Sequence, residues 1–480
     1  MQRKFFHDIS ASAFQVIINQ VSSVFIFFIL SKQLNKSVFG EINWFLAVLM
    51  IIFAILGFGM DQVVLRKVAA GNEASEVLHS HMFHVLLMGS SFISLIWLAW
   101  LFSGNHATDF LLILLLSIGQ FFIFLSSPFK QIANGRELFR TLLLMTTTAN
   151  LLKLVLLLIL LRLNIVSLET FIIIYMVAAA AELLVCLYIS KFYLNLKIRF
   201  PAGGMHYKKL LQESLPQLGV IICNAGIARI DWVLLGILST TTILAEYSFA
   251  YKVFEMSTIP LLIIAPLLLP KITKWVYQGS ANQGQIEKDL LSLARLEITG
   301  ASLVILLLNI AWAPLIDLIT NNKYGVVNSN TILILSCSAP FLYVNNILWS
   351  LNFAQGRTKI ILIIFTFTFA ITTIGDLFLI PVLQATGAAI AYLTAIIFQT
   401  LHFIFYTKLN NLHRIGRYLV TCMGIAFLSG IIAKSLHRNT GLQLVIAAGC
   451  FLLLISVSRL IRFNDYFKFK SIQGNEAVRN

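Results

Sequence analysis

The chain has 480 residues, 59% of them hydrophobic and only 11% charged, with a formal net charge of +15 and a mean hydropathy of +0.87. Such a composition excludes a soluble domain of this size and describes a polytopic membrane protein. The positive balance does not point to nucleic acid, because the basic residues sit in short loops between apolar stretches.

In chain order the apolar segments number about fourteen, each long enough to cross a bilayer. They fall near 10–31, 42–61, 82–103, 109–129, 142–161, 169–190, 214–238, 244–270, 296–316, 329–352, 360–380, 384–407, 418–436 and 441–461. With the N-terminus inside, the outward loops hold only Lys32, Lys36, Arg162, Lys323, Lys434 and Arg438. Nearly all other Lys and Arg, including Arg66, Lys67, Lys130, Arg136 and Arg140, fall in inward loops and tails, which places both termini in the cytoplasm. The first outward loop is Ser31 to Glu41. The largest inward pieces are about 191–213, with Pro201 and Gly203-Gly204, and 271–295. The fold class is therefore an all-α integral membrane protein, with residues 1–200 and 201–412 forming two six-helix halves. Residues 413–480 add two further spans and a tail.

The halves repeat in the same orientation, because six spans return the chain to the side it left. Leu111–Ser117 matches Ile332–Ser338, and Gln131-Ile-Ala-Asn-Gly-Arg136 matches Asn352-Phe-Ala-Gln-Gly-Arg357 in the same register without a gap. At a second common spacing Asn19 meets Asn224 and Glu41 meets Glu246.

The seventh span carries polar groups in phase. At 100° per residue Glu213, Gln217, Asn224 and Asp231 fall within about 40° of one another, with Arg229 roughly opposite. The first span has its own stripe of Ser12, Gln15, Asn19, Ser22 and Ser23. A charge at bilayer depth costs about 2.5–3.5 kcal/mol on insertion scales, so such faces line a cavity or a neighbouring helix. Lys153 and Glu182 lie midway along spans five and six, Lys252 and Glu255 three residues apart in span eight, and Asp376 near the outer end of span eleven. The alternatives are that Lys252 and Glu255 compensate each other on one helix and that Asp376 faces water. The cations Lys153, Arg229 and Lys252 suit an anionic head group, joined by Asn19, Asn224 and Gln217 as polar substrate ligands. Four carboxylates accompany them, so the interior is not cationic by charge count. Asp231, Glu182, Glu255 and Asp376 are the candidates for ion coupling, Asp231 and Glu182 first. Pro128, Pro260, Pro266, Pro270 and Pro340 punctuate spans four, eight and ten.

Cys186, Cys223, Cys337, Cys422 and Cys450 lie singly in apolar segments, without metal or redox spacing. No Walker loop, zinc spacing or nucleophile elbow is present. The sequence thus predicts no enzyme, metal or cofactor. Energy for transport must come from an ion or substrate gradient.

Leu34-Asn-Lys-Ser-Val-Phe-Gly-Glu41, Gly57-Phe-Gly-Met-Asp61, Arg229-Ile-Asp-Trp-Val-Leu-Leu-Gly236 and Ala245-Glu-Tyr-Ser-Phe-Ala-Tyr251 together resemble Wzx-type polysaccharide repeat-unit flippases. These belong to the MOP superfamily, which includes the MATE multidrug transporters and the lipid II flippase. Asp376-Leu-Phe-Leu-Ile-Pro381 followed by Gly387-Ala-Ala-Ile-Ala391 is similar to the second-half signature, except that many members have Asn at the position of Asp376. The resemblance covers about residues 5–465. It implies two pseudo-twofold-related six-helix bundles around a central cavity, two extra C-terminal helices and alternating access. The implied substrate is an undecaprenyl-pyrophosphate-linked oligosaccharide, such as an O-antigen unit, moved across a bacterial inner membrane. Implied partners are membrane lipids, protons or Na+, and the polysaccharide polymerase and chain-length machinery, with no nucleic acid. A MATE-like drug or cation antiporter is the alternative.

Overall fold

A computed structural model describes residues 2–71, 73–102, 107–196, 205–261, 272, 283–407 and 413–458. Every regular element among them is helical. By length and composition, 12 helices among the described residues can cross a membrane. This is the all-α, multi-pass membrane protein that the hydropathy demands, since only internally hydrogen-bonded helices or closed barrels satisfy the backbone in lipid.

The chain divides into two compact units, Met1–Ser248 and Phe249–Asn480. In the first, α1 (Gln2–Gln33) leads into α2 (Lys36–Leu56), α3 (Met60–Ala69), α4 (Ala74–Leu101), α5 (Ala107–Gly135), α6 (Phe139–Arg162), α7 (Leu168–Tyr188) and α8 (Met205–Leu238). The N-terminal part of α9 (Thr241–Ser257) completes it. Helix α5 packs on α7, α4 and α3, while α1 lies on α6 and α2 on α8. Met60, Val64, Phe129, Ile132, Met145 and Cys186 form the centre of one core between them.

Local chemistry sets the helix ends. Asn35 caps α2 by accepting a bond from the Val38 N–H at 2.8 Å, so helix resumes two residues after α1 ends. The first interhelical loop is therefore Leu34-Asn35 rather than the whole of Ser31–Glu41. The second span ends early for a different reason. Phe58 and Gly59 both adopt positive φ, 51° and 76°, which breaks the helix at Leu56 and starts α3 as a separate element. A Cβ on Gly59 would lie 2.7 Å from Gln217 Cβ. Ser167 and Thr170 form a capping box at the start of α7.

The second unit holds the remainder of α9 (from Phe249), then α10 (Gln283–Thr320), α11 (Ser329–Cys337), α12 (Ala339–Ala354), α13 (Thr358–Tyr406), α14 (His413–Leu436) and α15 (Thr440–Val457). Helix α13 joins two of the sequence-predicted spans across a kink at Gln384, where φ is 52° and ψ −129°. The last two helices pack on α10 in a core that includes Ile298, Ile310, Ile347, Phe403, Cys422 and Phe451. The prolines divide by position. Pro128 is carried inside α5, whereas Pro340 sits in the first turn of α12, where its missing N–H leaves no bond unmade. Pro266, Pro270, most of the 191–213 and 271–295 pieces between their helical ends, and the tail after residue 458 lie outside the described residues.

The internal repeat has a structural counterpart. Arg136, after α5, donates from Nη1 to the Leu194 carbonyl at 3.4 Å. Arg357, after α12, donates to the Tyr406 carbonyl at 3.4 Å. Each arginine of the repeated Gly-Arg pair thus ties its turn to a backbone carbonyl far along the chain, one just after α7 and one at the end of α13.

Candidate functional site

The first unit encloses a cavity of about 350 Å³ walled by α2, α5 and α8 and by the α2–α3 break, with Asp61, Gln120, Ser127 and Lys130 among its polar lining and Phe53, Phe124 and Ile221 among its apolar lining. On α5, Gln120 and Ser127 are two turns apart and Lys130 is one turn further, so one helical face presents all three. Ser127 Oγ donates to Asp61 Oδ1 at 2.6 Å, and the Tyr175 hydroxyl donates to Gln120 Oε1 at 2.6 Å.

Lys130 forms an ion pair with Glu182 of α7, whose residue is 3% exposed. Lys153 of α6 places its ammonium 5.3 Å from the centre of the Tyr175 ring, and Glu182 and Lys130 are the charged groups that act on it. The fold therefore brings Lys153 and Glu182 into one network. It also adds Lys130, which the sequence reading places in an inward loop. Helix α5 runs on to Gly135, so Lys130 belongs to its last turns. The spacing of Gln120, Ser127 and Lys130 was the available signal.

A second polar cluster runs along the seam of α2 with α8 and α9. Lys36 Nζ meets Glu246 Oε1 at 2.5 Å, the Ser37 and Thr241 hydroxyls are 2.9 Å apart, and Asn43 Nδ2 donates to Ser248 Oγ at 3.3 Å. Trp44 Nε1 donates to the Val233 carbonyl at 3.1 Å. Two glycines permit this approach: a Cβ on Gly40 would collide with the Thr241 carbonyl, and one on Gly236 would collide with the Trp44 ring.

The polar stripe on α8 is distributed among different neighbours. Glu213 Oε2 pairs with Lys67 Nζ of α3 at 3.0 Å. Gln217 packs under Gly59, and Asn224 is exposed. Asp231 is fully buried; its Oδ2 accepts from the Tyr247 hydroxyl at 2.5 Å and its Oδ1 from the Trp232 N–H at 2.9 Å. Arg229 stacks on Trp232 with 4.6 Å from guanidinium carbon to ring centre and donates to the Ala228 carbonyl at 2.7 Å. On α1, Asn19 Oδ1 accepts from Asn150 Nδ2 of α6 at 3.0 Å.

In the second unit Lys252 Nζ binds Glu255 Oε2 at 2.8 Å, the same-helix pairing that stood as the alternative to separate substrate and coupling roles. Asp376 is fully buried rather than facing water. Sequence reasoning missed Glu297 of α10, which is 6% exposed and whose carboxylate oxygens have no hydrogen-bond partner among the described residues. It stands at the very start of its apolar segment, where a boundary residue is easily assigned to the loop. No group of three or more His, Cys, Asp or Glu side chains able to hold a metal ion occurs among the described residues.

Residues 6–275 match the family model described as polysaccharide biosynthesis protein. The chain belongs to that family. A comparison with curated proteins gives no match. Among solved structures, this family member is similar to the lipid II flippase MurJ in an inward closed conformation, with a TM-score of 0.73 and 15% identity over 94% of this chain and 98% of that one. It is also similar to an inward-facing multidrug resistance MATE transporter of the MOP superfamily, at TM-score 0.65 and 15% identity, covering 85% and 99%. A MOP superfamily transporter from Pyrococcus furiosus matches at 0.57 and 13%, covering 87% and 96%. At such identities the likeness establishes the fold, which is that of the MOP transporters.

Proposed function

We propose that this family member is a flippase that moves an undecaprenyl-pyrophosphate-linked oligosaccharide, an O-antigen or related repeat unit, from the cytoplasmic to the periplasmic leaflet of a bacterial inner membrane. The observation that carries this reading is the polysaccharide-biosynthesis family match across residues 6–275 on a chain with the fold of MOP transporters. Both termini are cytoplasmic in this reading, as the Lys and Arg distribution requires. The polymerase and chain-length machinery act on the same unit after it has crossed.

The chemistry of the cavity fits an anionic, hydroxyl-rich head group. Lys130 and Lys153 are compact ammonium charges suited to pyrophosphate oxygens, and Arg229 and Lys252 are further candidate cations. Gln120, Gln217, Asn19 and Asn224 offer amides to sugar hydroxyls, while the prenyl tail stays in the bilayer. Ion coupling falls to Asp231, Glu182, Glu255 and Asp376; the burial of Asp231, Glu182 and Asp376 makes their charges costly unless paired or protonated, and the half-buried Glu255 is paired with Lys252. Alternating access then requires the α2–α8–α9 seam to open. Its bonds hold the closed side, and substrate entry and release bias the two states by differential binding.

One observation favours a second reading as a MATE-like cation antiporter. Around the cavity Asp61 and Glu182 balance Lys130 and Lys153, so the site is not cationic overall. Native mass spectrometry of the purified protein separates the two readings. A synthetic prenyl-pyrophosphate disaccharide should bind, and Lys130→Ala with Lys153→Ala should weaken it by roughly tenfold or more, as expected for losing charge-assisted contacts. Binding of tetraphenylphosphonium in its place, unaffected by those lysines, would assign the protein to the antiporters.

A further inference from the structure

The cavity wall also contains a titratable pair outside the four coupling carboxylates. Asp61 stands in the first turn of α3, with its side chain 44% exposed as part of the cavity lining. Behind it on α4 lies His81, 1% exposed, with Nε2 3.5 Å from Asp61 Oδ1. Neither ring nitrogen of His81 has a hydrogen-bond partner among the described residues. A buried imidazole in that position is incompletely satisfied when neutral. A proton on Nε2 turned toward the carboxylate would give it a charge-assisted bond.

Several other titratable groups on the packed elements are already engaged. His84 of α4 has Nδ1 3.1 Å from the Tyr207 hydroxyl of α8 and Nε2 2.7 Å from the Leu56 carbonyl of α2. Lys130 of α5 is paired with Glu182 of α7, Lys67 of α3 with Glu213 of α8, and Glu76 of α4 with His206 of α8. Asp61 itself accepts from the Ser127 hydroxyl at Oδ1. His81 stands within reach of Asp61, and among the described residues neither of its ring nitrogens has a hydrogen-bond partner.

We propose that Asp61 and His81 form a proton-binding dyad of this transporter, distinct from the four coupling carboxylates. A hydronium ion in the cavity gives its proton to Asp61 Oδ1, becoming water. The proton passes to His81 Nε2, leaving an imidazolium–carboxylate pair, and the reverse sequence releases it. One proton enters per cycle of the dyad, and the charge of the cavity wall rises by one. Because His81 is enclosed, Asp61 is its contact with cavity water.

The role in transport rests on the flippase reading, and the test separates the two. The full chain in nanodiscs, labelled at histidine, is titrated by NMR, with the His81 signal assigned by its loss in His81→Gln. A pH-dependent His81 ring signal is expected, with its curve displaced by roughly one pH unit in Asp61→Asn. A ring signal that does not respond to pH, or identical curves in both proteins, would overturn the dyad whether or not any lipid is flipped. In proteoliposomes, the ratio of flipping rates with and without a pH gradient should fall to unity in both variants. A wild-type ratio in Asp61→Asn, whose side chain is isosteric and partly exposed, would overturn the coupling role.

Discussion

Lys130 and Glu182 illustrate how much a single buried pair can govern. Glu182 is almost wholly enclosed, so removing its cation would strand a carboxylate away from water, a change that typically costs about 3–5 kcal/mol. Lys130→Ala should therefore lower the thermal midpoint in detergent by several degrees, and Lys130→Ala combined with Glu182→Ala should recover most of that loss. A double variant no more stable than Lys130→Ala alone would show that the pair does not hold the site. Gly59 makes a separate claim. Its φ of 76° and the proximity of Gln217 mean that Gly59→Ala should destabilise by about 1–3 kcal/mol, measured as a shift in denaturant midpoint. Some of these residues were visible in the sequence and others were not. An ionisable side chain inside an apolar run identifies itself, as Lys153 and Glu182 do. Lys130 and Glu297 sit at the ends of their apolar runs, and hydropathy alone cannot say how far the helix continues.

The helices were legible because each needs a long apolar run to satisfy the bilayer, but their interruptions depended on backbone chemistry. The Gly57-Phe58-Gly59 break divides one apolar run into α2 and α3, and Gln384 kinks α13 without ending its apolar run. The phase of the α8 stripe could be counted from the sequence, but its partners could not. Glu213 meets Lys67, and Asp231 meets Tyr247, through contacts that only the fold creates. The seam of α2 with α8 and α9 is where an element-level prediction belongs. Ser37→Cys with Thr241→Cys replaces hydroxyls 2.9 Å apart, so oxidation should bridge them and stop transport, and a reductant should restore it. Transport that continues with the bridge formed would show that this seam need not open. Exchanging the charges of Lys36 and Glu246 should be tolerated better as the double variant Lys36→Glu with Glu246→Lys than as either single change, scored by transport rate.

The molecule as a whole combines a MOP transporter fold with membership of a polysaccharide-biosynthesis family. A sequence match was readable between Gln131–Arg136 and Asn352–Arg357, and the fold gives the two arginines similar work, on carbonyls just after α7 and at the end of α13. What sequence could not supply is the grouping of side chains from α2, α3, α5 and α8 around one cavity, with Glu182 of α7 paired to its Lys130, because those contacts join residues far apart in the chain. In the proposed function, the lysines of that grouping meet an anionic head group and nearby carboxylates take up protons. The most direct test is translocation of a lipid-pyrophosphate-linked oligosaccharide by the purified protein in proteoliposomes, with and without an imposed pH gradient. Flipping that depends on the protein, accelerates with the gradient and falls by roughly tenfold or more in Lys153→Ala, corresponding to about 1.4 kcal/mol, is the predicted result. Failure to flip this lipid, accompanied by gradient-driven uptake of organic cations, would contradict the account.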